Sequence, residues 1–195
     1  MVRIYNILIS KILNEIIPAT KISIINGNKI FGAAILKKDD LSTVVIGTNN
    51  EIINPLYHGE ISTINEYFKS KLNNIVKPSE CIFLSTHEPC SLCLSAITWS
   101  GFDNFYYFFP YSETRYKFNI PHDINILKEI FKLNNGDYNR VNSYWKSYSI
   151  IQEISRLPEE TRSLLNIKIK KIKEIYINLS ILYQKNKSKN KIPLN

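Results

Sequence analysis

Apolar side chains recur at Ile4, Leu8, Ile12 and Ile16, with Ile9 and Leu13 beside them. That spacing predicts a helix over 4–17, ended by Pro18. Gly27 and Asn28 mark a turn. Phe31 to Leu36 is a short apolar run, Lys37 to Asp40 is polar, and Thr43 to Ile46 is β-branched, a pattern that predicts a hairpin. From His58 to Lys71 the period turns helical, with Ile61, Ile64 and Phe68 on one face. Pro78 closes the next connection, and Cys81 to Leu84 reads as a buried strand. Pro89 opens a helix from Cys90 to Trp99, which Gly101 stops. Phe105 to Phe109 is an aromatic strand, and 123–133 is a helix ended by Asn134-Asn135-Gly136. Beyond it the chain reads as helical to about Ser188, with a break near Pro158. There is no internal repeat. Alternating strands and helices imply a layered α/β domain with a mostly parallel second half. Two helices begin at strand ends on one side of the sheet, where open α/β sheets place their sites.

Composition narrows the class. With 195 residues, 44% of them apolar and 22% charged, the chain can bury a core without disulfide staples. A disordered chain, a collagen and a disulfide scaffold are excluded. A membrane span needs ~20 nearly uninterrupted apolar residues. The stretch from Ile4 to Ile17 is broken by Asn6, Ser10, Lys11, Asn14 and Glu15. No small-residue cleavage site follows an apolar run, so the expected location is cytoplasmic, with no membrane partner. Three cysteines, two of them in one C-x-x-C, point to metal or redox chemistry over a disulfide framework. Residues 151–195 hold ten Lys and Arg against four Asp and Glu, a net of +6 out of +8 for the whole chain. The basic excess belongs to the tail, where it is either a solvated helix face or a nucleic-acid surface.

Two short motifs stand at the two helix starts: His58-Gly59-Glu60 and Pro89-Cys90-Ser91-Leu92-Cys93. Cys90 and Cys93 are three apart at a helix N-terminus, so both sulfurs point to one face. The positive end of the helix dipole favours thiolate there. Two thiolates and one imidazole make three zinc ligands and leave a fourth position open, the pattern of a catalytic Zn2+. Glu60, two residues past His58, is turned away from it and stands alongside the metal as an acid–base group. A redox pair would want a thioredoxin-like context and a zinc ribbon a second C-x-x-C; the chain has neither. H-x-E followed by P-C-x-x-C is the signature of zinc deaminases.

On these motifs the chain resembles the cytidine and deoxycytidylate deaminase superfamily over residues 26–133. The likeness also rests on Phe31-Gly32-Ala33, on Asn54-Pro55, on Glu88 before Pro89, and on Ala96-Ile97-Thr98-Trp99. It is nearest the branch holding guanine, deoxycytidylate and tRNA adenosine deaminases. The resemblance implies a three-layer α/β/α fold on a mixed, mostly five-stranded sheet. That fold makes 1–133 the catalytic domain and 134–195 a helical, basic extension packed on it or on a partner subunit. It makes His58, Cys90 and Cys93 the zinc ligands and Glu60 the proton shuttle. Phe31 and one of Asn49 or Asn50 would line the base pocket, and the Gly59 N–H would meet the base. Gly stands at 59 where Ala is usual, and the loop from Asn50 to Asn54 is shorter than in many relatives. The implied reaction is hydrolysis at a C–N bond of a cyclic amidine. Zinc lowers the pKa of a water toward ~7, and Glu60 takes and returns protons as the amino group leaves as ammonia. A homodimer is implied as well.

Three function classes follow: an enzyme on a small nucleobase, nucleoside or nucleotide; an enzyme on a base within nucleic acid; and a non-catalytic module that keeps zinc for stability. The basic tail favours the second. Leu94-Ser95-Ala96-Ile97-Thr98-Trp99 and Phe31-Gly32-Ala33 favour the first, with a guanine deaminase-like substrate. Glu60, which no structural zinc needs, disfavours the third. Outside the motifs, Cys81 reads as a core thiol, His122 as a helix start and Glu88 as a turn or pocket-wall residue. His87 reads as a surface or supporting residue that could face the site. In the extension, Ile150, Ile151, Ile154 and Leu157, then Ile167, Ile172, Ile175, Leu179 and Leu182, are expected to pack on the core or on a second subunit.

Overall fold

The computed structural model describes residues 2–195. The chain opens with α1 (Val2–Lys11), a π-helical turn at Ile12–Ile16, and α2 (Ile17–Ile25). The expected stop at Pro18 does not occur. Proline has no N–H, and in an α-helix its ring clashes with the carbonyl four residues back. The π turn, with Ile17 N–H bonded to Ile12 O, widens the backbone just ahead of it and seats Pro18 in the first turn of α2. Leu8, Ile9, Ile12 and Ile16 are fully buried along this rod.

The hairpin forms as β1 (Gly32–Lys37) and β2 (Thr43–Thr48), paired antiparallel with Ala34 opposite Ile46. After α3 (Gly59–Lys69), β3 (Cys81–His87) pairs antiparallel with β1, Ala34 opposite Leu84. Then come α4 (Ser91–Trp99) and β4 (Asn104–Phe109), parallel to β3. Two short helices, α5 (Tyr111–Tyr116) and α6 (His122–Glu129), lead to β5 (Lys146–Ser149), parallel to β4 with Tyr106 opposite Tyr148. The chain closes with α7 (Ile150–Ser155) and α8 (Glu159–Asn186). The five-stranded mixed sheet runs β2-β1-β3-β4-β5.

Helices cover both faces. Tyr67 and Ile97, from α3 and α4, pack with Ala33, Ile35, Phe83, Phe105 and Trp145 on one side. On the other, α1, α2, α7 and α8 pack on Leu36, Leu84, Phe108 and Phe109. This is the three-layer α/β/α arrangement, with C-terminal helices added. No helix among the described residues is long and apolar enough to cross a membrane.

Two expectations for the C-terminal third are corrected. The stretch from 134 is not helical throughout, because β5 lies within it. That strand is four residues of Lys, Ser, Tyr and Ser at the sheet edge, with no apolar run to announce it. Along α8 the buried face is Leu165, Ile169, Ile172, Tyr176, Leu179 and Tyr183. Ile167 and Leu182, expected to pack inward, are exposed. Two tyrosines take the inward stripe where aliphatic residues were expected to form it.

Candidate metal centre

Three parallel strands carry the chain toward one edge, and the two motif helices start there. His58 and Cys90 occupy the same position, the residue just before α3 and just before α4. Both have extended backbone, φ −64° and ψ 164° for His58, φ −65° and ψ 173° for Cys90. Neither side chain caps its own helix, so both are free to face inward. Glu60 is then the second residue of α3 and Cys93 the third of α4, one turn or less from the helix starts. Gly59 has a packing reason. A Cβ at 59 would stand 2.9 Å from Gly32 Cα and 3.0 Å from Gly32 N, so α3 reaches β1 only without a side chain there.

The ligand atoms converge. His58 Nδ1 lies 3.4 Å from Cys90 Sγ and 3.6 Å from Cys93 Sγ, and the sulfurs are 3.6 Å apart. A tetrahedral zinc with Zn–S of about 2.3 Å and Zn–N of about 2.0–2.1 Å sets ligand edges of about 3.8 Å for S–S and about 3.5 Å for S–N. The triangle therefore has the size zinc requires. Among the described residues this is the one group of three or more His, Cys, Asp or Glu side chains so arranged. Glu60 is buried beside it. Its Oε2 is 3.4 Å from Cys93 Sγ, and its Oε1 accepts from Ser85 Oγ at 2.9 Å.

The charges are coupled. Burial opposes a proton on His58, but the hydrogen bond and charge of Cys90, with Glu60 and Glu51, raise its pKa to about 9. Contact with Cys93, together with His58, holds Cys90 well below the usual thiol range against its burial. Burial pushes Cys93 well up. Zinc takes neutral imidazole and thiolate as ligands, so its binding would release any protons these three side chains carry. Burial first, then the Cys90 charge, raises the carboxyl of Glu60.

A small cavity of about 10 Å³ adjoins the triad, lined by Phe31, His58, Glu60, His87, Glu88, Cys90 and Asp123. That is room for about one water. Larger open grooves, about 640 Å³ beside α3 and about 480 Å³ at the β4–β5 end, lie elsewhere and carry no metal-ligand cluster. Phe31 lines the cavity wall. Of the two asparagines, Asn49 is buried, and its Oδ1 accepts from Gly59 N–H at 2.6 Å. The N–H expected to meet a base is thus taken by Asn49. Asn50 is half-buried and donates its backbone N–H to Tyr57 O at 2.7 Å.

Several residues outside the ligand triad and Glu60 complete the surroundings of the site. Half-buried Asp123, in the first turn of α6, faces Glu60 across the cavity; burial, then Cys90, pushes its carboxyl well up. Glu51 stands behind His58, its Oε1 3.9 Å from Nε2. It accepts from Lys29 Nζ at 2.6 Å and from Asn49 Nδ2 at 2.7 Å. Glu88, just before Pro89-Cys90, accepts from Tyr111 N–H and Tyr138 Oη, each at 3.0 Å, and pairs with Arg140. Asp123 left a faint signal, an acid in the first turn of a predicted helix. Lys29 and Glu51 left none, being isolated charges in polar loops.

Residues 10–109 match the family described as the cytidine and deoxycytidylate deaminase zinc-binding region, and the chain belongs to that family. Its fold is similar to that of guanine deaminase from Bacillus subtilis, with 23% identity, TM-score 0.53, and coverage of 68% of this chain and 85% of that one. It is also similar to a deaminase of A-to-I editing at the wobble position of transfer RNA, with 16% identity, TM-score 0.50, and coverage of 72% and 97%. Guanine deaminase from Nitrosomonas europaea aligns at 15% identity and TM-score 0.48, covering 80% and 81%. No curated protein matches the chain by sequence.

Proposed function

We propose that the chain is a hydrolytic deaminase of a small amino-bearing nucleobase, with guanine as the favoured substrate. The observation that carries this reading is Glu60. A zinc that only stabilised the fold would need no carboxyl 3.4 Å from a ligand sulfur. A buried carboxyl of raised pKa there is suited to accept and return a proton within one cycle. His58, Cys90 and Cys93 would hold the metal, which supplies Lewis acidity and a lowered pKa to water when bound. Ser85 fixes Glu60 by donating to Oε1, leaving Oε2 for the proton. Asp123 adds a second carboxyl across the cavity, able to bond an amino or ring N–H group of a base.

The fate of the basic tail supports a compact substrate over a polynucleotide. Lys168 bonds Asn6 Oδ1 and Ser10 Oγ, and Lys173 pairs with Glu113, so part of that charge is spent inside the fold. The second reading, a base within RNA, draws on the exposed lysines that remain.

Ammonia release from zinc-loaded protein tests the proposal, with Glu60→Gln as the blank. The panel holds guanine, cytosine, adenine, their nucleosides, deoxycytidylate and an adenosine-bearing tRNA loop. We expect turnover of a free base, reduced ~10²–10⁴-fold in Glu60→Gln with zinc content unchanged. Turnover of only the RNA replaces the small substrate with the second reading. No turnover by a zinc-bound protein overturns the proposal.

A further inference from the structure

His87 lines the site cavity, yet nothing above employs it. It ends β3 and is 2% exposed. Its Nδ1 lies 2.9 Å from Thr86 Oγ1. That hydroxyl also receives Gly32 N–H at 3.1 Å and lies 3.0 Å from Gly32 O. A hydroxyl has one proton and two lone pairs. If its proton goes to Gly32 O and one lone pair takes Gly32 N–H, the other takes a proton from His87 Nδ1, and every contact is a hydrogen bond. The reverse assignment sets lone pairs of Thr86 Oγ1 and Gly32 O against each other. The network therefore puts the proton on Nδ1 and leaves Nε2 a bare acceptor.

Nε2 is buried and has no hydrogen-bond partner among the described residues. The ring is surrounded by aromatic groups: Phe31 edge-on at 4.6 Å between centroids, Phe109 at 4.9 Å, Tyr176 at 5.3 Å and Phe118 at 5.4 Å. Burial in that setting keeps the imidazole neutral, its pKa well below the ordinary value. A buried acceptor without a donor carries a desolvation cost, and native structures retain few of them. Here the orphan belongs to a ring in the wall of the cavity that holds Glu60 and the metal ligands.

We infer that His87 is a specificity-determining residue whose Nε2 accepts a hydrogen bond from a ring N–H of the base brought to Glu60. The inference rests on the free-base reading and deepens it. A base that presents a ring N–H besides its reacting amino group, as guanine does, satisfies Nε2. A base methylated or glycosylated at that nitrogen leaves the acceptor bare and adds bulk against Phe31. The cavity as it stands takes only about one water, so seating a base against Nε2 requires its wall to move.

The test uses zinc-loaded, full-length Glu60→Gln protein labelled with 15N-histidine, which holds guanine unreacted. In the free protein the His87 signals should show Nδ1 protonated and Nε2 bare. Saturation with guanine should move the Nε2 resonance and leave the tautomer unchanged. On a wild-type background, His87→Leu should lower kcat/KM for guanine ~10²-fold or more with zinc content unchanged. His87→Gln, which retains an acceptor, should recover part of the loss. A protonated Nε2 in the free protein, or a Nε2 resonance that stays still at saturation, overturns the inference. Ammonia release by wild type with an unmoved Nε2 overturns this inference alone. No binding and no release with any base overturns it together with the proposed function.

Discussion

Each of the two ligands that begin a helix is backed by a buried carboxylate held by a cation, and the two supports meet water differently. Behind His58, Glu51 is paired with Lys29 in a dry setting, their side chains 1% and 7% exposed. Beside Cys90, Glu88 is just as buried at 2%, but its partner Arg140 is 39% exposed. Glu88 also spreads its charge over Tyr138 Oη and Tyr111 N–H, and the Arg140 guanidinium stacks 4.6 Å over the Tyr138 ring. The first support depends on one cation and one amide. The second is shared among several donors and is partly wet. A buried pair broken on one side leaves an uncompensated charge, whereas a shared or hydrated one relaxes.

The largest effect should therefore come from the dry pair. Lys29→Met should cost ~3–5 kcal/mol in denaturant unfolding of the zinc-loaded protein. Glu51→Gln should weaken zinc ~10–100-fold in chelator competition, since a carboxylate behind a ligating imidazole orients it. Unchanged stability and zinc affinity in these variants would remove Lys29 and Glu51 as supports. Arg140→Ala should cost less, ~1.5–3 kcal/mol, because Glu88 keeps two donors. A loss as large as that of Lys29→Met would erase the contrast between the supports.

Gly59→Ala tests the spacing between the His58 helix and the sheet. The new methyl meets Gly32 backbone, which cannot rotate away, so α3 must shift at ~1–3 kcal/mol. Thermal melts that match wild type would show that α3 has slack. The smallest effect concerns His87. His87 is buried with its pKa held below the ordinary 6.5. Below pH 6.5 the unfolded chain takes up a proton on this ring and the folded chain does not. Stability therefore falls with pH there, by up to ~1.4 kcal/mol per pH unit. The wild-type profile minus that of His87→Gln should show this slope; parallel profiles would mean the ring protonates in place.

The metal ligands and Glu60 were readable because short-range geometry places them. Cys90 and Cys93, three apart, share one face of their helix start, and Glu60, two past His58, is turned aside from it within the same first turn. Strands β1 to β4 were readable too, each from a run of apolar or β-branched side chains. Strand β5 was not, because four polar and aromatic residues at an edge owe their conformation to pairing with β4, not to their own pattern. The passage of the first helix through Pro18 escaped for a similar reason, since a π turn seated against the core offsets a strong local breaker.

Local order thus determined the class of chemistry: two helix starts, each offering ligands, and one carboxyl that a structural metal would not use. Only tertiary packing decided what surrounds that chemistry. It brought Asp123 across the cavity from the end of a loop. It set Lys29 and Glu51 behind His58, and Arg140 against Glu88 from 52 residues away. It left His87 Nε2 bare in an aromatic wall. Those placements depend on which elements meet at the end of the sheet, and a contact between distant residues leaves no periodicity along the chain.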